Sequence, residues 1–76
     1  MSTESVELRN SDFLAGKTRP ITQARVTDCV GHRNIMVCFA GARSRNVLLM
    51  NMSTGDALRF AELLGNTAAR MEYEQS

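Results

Sequence analysis

Cys38-Phe39-Ala40-Gly41-Ala42-Arg43-Ser44-Arg45-Asn46-Val47-Leu48-Leu49-Met50-Asn51-Met52 sets two apolar runs on either side of a short polar stretch that carries two arginines. Runs of this length, rich in β-branched and aromatic residues and separated by Gly, Ser and Asn, spell strand, turn, strand. Neither Ile35–Ala40 nor Val47–Met50 alternates between apolar and polar, as a strand with one wet face would. Both faces of these strands therefore call for cover.

Working outward, Val30-Gly31-His32-Arg33-Asn34 supplies a second turn, and Ile21 to Cys29 before it reads as another strand. Gly16 and the Arg19-Pro20 step mark Ser11–Pro20 as a loop leading into that strand, because a residue before proline is driven to extended backbone. Towards the C-terminus, Ser53-Thr54-Gly55-Asp56 offers a hydroxyl cap and an acidic residue for the positive end of a helix dipole. Ala57, Ala61, Leu64, Ala68 and Met71 then recur at spacings of four and three, with Leu58 and Phe60 widening the stripe. The pattern predicts one α+β domain over residues 1–76. It is an antiparallel meander of three strands, or four if Val6-Glu7-Leu8 pairs, followed by one C-terminal helix packed on the sheet. Residues 1–5 and 73–76 are expected to fray.

The chain is 43% apolar and 22% charged with a single proline, which is a globular composition. At 76 residues it can bury only about 60% of its unfolded surface. No apolar run is long enough to span a bilayer, and the opening residues MSTESVELRN carry neither a basic start nor an apolar signal core. A cytoplasmic location without membrane contact is expected. Two cysteines, Cys29 and Cys38, are too few for a disulfide framework.

Charge is distributed unevenly. Lys17, Arg19, Arg25, Arg33, Arg43 and Arg45 stand against Asp28 alone in the middle of the chain, whereas both flanks are net acidic. Eight of the nine basic residues are arginine, the side chain suited to bidentate contact with carboxylate or phosphate. Alternate turns of a meander lie at opposite ends of the sheet. Lys17, Arg19, Arg43 and Arg45 should thus gather at one edge as a partner-binding patch, with His32 and Arg33 at the other end.

Other constellations are weaker. Cys29, His32 and Cys38 lack a fourth ligand for tetrahedral zinc, and a turn centred on residues 31–34 would set Cys29 opposite Met36 instead of Cys38. A lone histidine with no paired nucleophile and no phosphate-cradling loop gives catalysis no footing, so no enzyme activity, metal or cofactor is expected. Ala61, Gly65 and Met71 fit the turn of a helix-turn-helix motif. Asn66 departs from that pattern and too few residues follow Met71 for a recognition helix, so one continuous helix is favoured.

Residues 35–72, two apolar strands followed by Met52-Ser53-Thr54-Gly55-Asp56-Ala57-Leu58 and Ala61-Glu62-Leu63-Leu64, resemble small phage and mobile-element proteins. Several of these block host defence systems by binding, as anti-CRISPR proteins do. The resemblance implies a non-enzymatic inhibitor of a protein or nucleoprotein complex. The alternative is a nucleic-acid-binding regulator that uses the basic middle on phosphates. Because one helix can cover only one sheet face, a homodimer is expected, through Met36, Cys38, Leu48 and Met50 or through edge strands. The first twenty residues folding back as a lid are the rival cover.

Overall fold

The computed structural model describes residues 2–29, 31 and 33–75. Four strands, β1 (Thr3–Ala15), β2 (Lys17–Cys29), β3 (Asn34–Ala40) and β4 (Asn46–Ser53), form one antiparallel sheet in the order β1-β2-β3-β4. Helix α1 (Thr54–Gln75) follows and packs on β4 and β3 near its start. The fold is thus an α+β meander with a C-terminal helix, and the helix runs unbroken through Gly65.

Residues 2–20 realise the four-stranded alternative in which the segment Val6-Glu7-Leu8 pairs, and depart from expectation in the length of that strand. They form neither a frayed end nor a lid. Thr3 pairs with Thr27 and the ladder continues to Ala15 opposite Lys17, so the expected loop Ser11–Pro20 is the far end of a long hairpin. Its turn is Gly16, whose φ of 83° lies where only glycine sits without steric cost. Pro20 tolerates this strand for a local reason. The carbonyl of Pro20 faces Gly41, and a strand residue's amide and carbonyl project to the same side, so the missing N–H falls where β2 has no ladder partner. Between Glu7 and Ser11 the register shifts, and the extra residues bulge out of β1. Helix α1 reaches Gln75, so residues 73–75, expected to fray, are helical.

Register assigns each side chain to a face, because neighbours directly across a ladder share one. Val6, Ala24, Phe39 and Leu48 form one rung, and Val26, Val37 and Met50 form the next with Glu4 at the edge. These two rungs are apolar from β1 to β4 except for Glu4, and the same face carries Asp28 beside Ile35 and Met52. The opposite face holds Ser5, Arg25, Cys38 and Leu49 in one rung, and Thr3, Thr27, Met36 and Asn51 in another. Apolar residues of β3 on that face are interleaved with polar neighbours, and the Thr3 and Thr27 hydroxyls hydrogen-bond at 2.8 Å. The four residues assigned to one dimer interface therefore divide: Leu48 and Met50 belong to the apolar face, Met36 and Cys38 to the polar one. Cys29 lies opposite Asn34, not Met36, because the connection to β3 is shorter than the centred turn would require. Cys38 lies opposite Arg25, four residues along β2 from Cys29, and both thiols are free.

The monomer is poorly closed. Among the described residues the buried hydrophobic side chains are Ile21 and Ala40. The accessible area is 6445 Å² for a mass of 8.4 kDa, where a compact monomer of that mass exposes about 4,600 Å². A radius of gyration of 13.9 Å likewise exceeds the about 11.4 Å of a compact chain of this length. Among the described residues no helix is long and apolar enough to cross a membrane.

Candidate anion-binding edge

Backbone packs closely beneath the β3–β4 connection. Gly41 is buried, and a Cβ placed there would come within 3.1 Å of the Pro20 carbonyl and 3.3 Å of Val47 Cγ2. Any larger residue would push β2 and the turn apart by a few tenths of an ångström, so glycine favours their close approach. Its N–H donates to the Arg45 carbonyl at 2.7 Å, closing the turn around Ala42–Ser44. Buried Ala40 and Ile21 lie immediately beside it.

On this base stand the arginines. Arg19 from β2 and Arg43 and Arg45 from the turn line an open hollow of about 400 Å³ floored by Pro20, Gly41 and Val47. A second hollow shares Gly41 and Arg43 and adds Arg9, thrust out by the β1 bulge, together with Glu7, Thr22 and Gln23. Four arginines thus line the two hollows beside one turn, with one carboxylate residue, Glu7, among them. Arg43 itself has φ 61° and ψ 28°, the left-handed region, which costs a non-glycine residue on the order of 1 kcal/mol. The packed base fixes the point from which the Arg43 side chain leaves the turn. Such a surface can hold a carboxylate or phosphate bidentately without first ordering a loop.

The sequence expectation is met unevenly. Arg19, Arg43 and Arg45 come together. Lys17 does not line either hollow; it sits opposite Ala15 at the hairpin tip, four residues beyond Ile21. Arg9 was missed, because its sequence neighbourhood is acidic and only the hairpin carries it across to the turn. Arg25 lies further along the polar face, its Nε donating to Gln23 Oε1 at 2.7 Å. Arg33 is in the connection at the opposite end of the sheet, and His32 lies outside the described residues.

At the opposite end, Asp28 Oδ1 accepts from the Ser2 backbone N–H at 2.6 Å and from its hydroxyl at 3.1 Å. These two bonds, the backbone one foremost, hold the Asp28 carboxyl below its ordinary range. Among the described residues no three His, Cys, Asp or Glu side chains gather where a metal ion could be held. Compared with family models, curated proteins and solved structures, the chain matches none.

Proposed function

We propose that the protein is a non-enzymatic binding protein, working as a homodimer, that grips an acidic surface of a protein or nucleoprotein complex with Arg9, Arg19, Arg43 and Arg45. The gathering of these four around the Gly41 turn carries the reading. The resemblance of residues 35–72 to small phage inhibitors makes blockade of a host defence complex the expected consequence of binding. The homodimer is supported by area: the excess of about 1,800 Å² over a compact monomer is more than the about 800 Å² each partner gives up in a standard interface.

Replacing Arg43 and Arg45 together with glutamate should weaken capture of the partner from nuclease-treated host lysate by about tenfold or more, through repulsion where attraction stood. The melting temperature should stay nearly unchanged, since exposed charges contribute little to folding. Undiminished capture by the double variant would leave the tip a turn and nothing more.

One observation favours a second reading. Lys17, Arg19 and Arg25 share the polar face of β2 with Gln23 and Thr27, a row about 33 Å long from Lys17 to Thr27 at 3.3 Å per residue. A nucleic-acid backbone could follow such a row. Tight binding of isolated protein to single- or double-stranded DNA, falling steeply with salt, would select this reading over the first.

A further inference from the structure

Each chain carries two apolar surfaces that suit each other and stay largely exposed. The first is the sheet face with Val6, Val26 and Met50 exposed among Val37, Phe39 and Leu48. The second is the stripe of α1, where Phe60, Leu63, Leu64 and Met71 each remain about half exposed or more. Helix α1 starts firmly: Ser53 Oγ accepts from the Asp56 N–H at 3.2 Å, and Asp56 pairs with Arg59. Past that first turn, residues 58–66 are all exposed, so the chain's own sheet leaves them largely uncovered. The stripe includes Ala57, Ala61 and Ala68, small residues that let a helix lie close on a flat sheet.

We infer that the two surfaces meet between copies: α1 of each subunit lies across the apolar sheet face of its partner, by a two-fold exchange of helices. This rests on the homodimer reading above and specifies its geometry. Helix and sheet layers are the usual solution for burying one apolar face of each, and each subunit supplies both halves of that pair. Reciprocal exchange buries both without any new surface and closes after two copies. Length permits it: 22 residues span about 33 Å, whereas crossing four strands takes about 14 Å. The arginine edge stays outside the contact, because Arg19 and Arg25 belong to the opposite face and Arg43 and Arg45 to the turn.

The test uses the full chain with Cys29→Ser and Cys38→Ser. One preparation carries Val26→Cys, the other Leu64→Cys; they are mixed, allowed to exchange and oxidised. A second pair, Met50→Cys with Ala61→Cys, guards against one pair failing to fold, and light scattering gives each variant's mass. Helix exchange predicts a dimeric mass and a disulfide-linked species of unlike chains, several-fold more abundant than either like-chain product. A dimeric mass with links only between like chains, Val26 to Val26 or Leu64 to Leu64, overturns the exchange and leaves the dimer standing. A mass near 8.4 kDa that persists on concentrating overturns both the exchange and the dimer.

Discussion

The turn at Gly41 and the helix at the other end of β4 are joined by eight residues of strand, yet they solve opposite problems. At the turn, backbone packs on backbone: the Gly41 N–H is bonded, its missing side chain makes room for Pro20, and Ala40 and Ile21 are buried alongside. Nothing there waits for a partner to become ordered. The helix is well capped but leaves its apolar stripe in water, as does the apolar sheet face. Polar display has been built on the part of the fold that closes by itself, and apolar surface remains on the part that does not. The contrast separates two kinds of binding, one through preorganised charge and one through burial of area.

The largest way to break this comparison uses two methionines. Met36 and Met50 are each 39% exposed in the single chain, so a reading from the monomer alone predicts equal effects of substitution. They sit on opposite faces. Met50→Asp places a carboxylate beside Val37 on the face that the proposed dimer would cover; if it does, an unpaired charge there should cost about 3 kcal/mol or more and dissociate or unfold the assembly. Met36→Asp lies between Thr27 and Asn51 on the wet face and should cost about 1 kcal/mol or less. Denaturant titration of both variants, with masses by light scattering, would show the difference. Equal destabilisation would mean that the apolar face is no more covered than the polar one.

That pair also shows where the sequence ceased to be readable. The strands over 21–52 and the capped helix could be read because their signals are local: β-branched runs, turn residues, a hydroxyl at Ser53. Facing could not be read strand by strand. Ile35–Ala40 has apolar residues on both sides, and only the identity of its ladder neighbours, Arg25 and Thr27 on one face, Ala24 and Val26 on the other, makes one side wet. The hairpin was hidden for a different reason. Gly16 and Pro20 are loop signals in isolation, but one makes a turn of a single residue and the other stands where the ladder needs no donor. Since the hairpin brings Arg9 to Arg43, missing it meant missing a quarter of the arginine cluster.

A smaller effect sharpens the other half of the comparison, because Arg43 can be changed in two ways that separate charge from backbone. Arg43→Gly removes the guanidinium and also the left-handed strain at φ 61°. Stability should hold or rise by up to about 1 kcal/mol, since glycine adopts this conformation freely. Partner capture should still fall, though less than for the double glutamate variant, because attraction is lost without added repulsion. A drop in melting temperature for Arg43→Gly would mean that the side chain packs as part of the turn, and the division between a self-sufficient turn and a displayed charge would fail.

The smallest predicted effect lies at the far end of the hairpin, where Asp28 ties down the start of β1. Its N–H donates to the Ser2 carbonyl at 3.2 Å while its carboxylate accepts from the Ser2 N–H and hydroxyl. Those bonds favour the charged form, so the folded value lies below the ordinary 3.8. A group depressed in this way contributes stability above its unfolded value, and the contribution fades as pH falls through the folded one. The first residues of β1 should therefore be held at neutral pH and loosen below about pH 4. Amide exchange of Thr3, Glu4 and Ser5 should accelerate over that range relative to amides at the centre of β3, with the global melting temperature barely affected. Asp28→Asn should give the faster exchange already at pH 7 and abolish its acid dependence. If the variant's exchange still tracks acid as the parent's does, the strand end is held by the Thr3–Thr27 pair and the ladder, and the carboxylate is incidental.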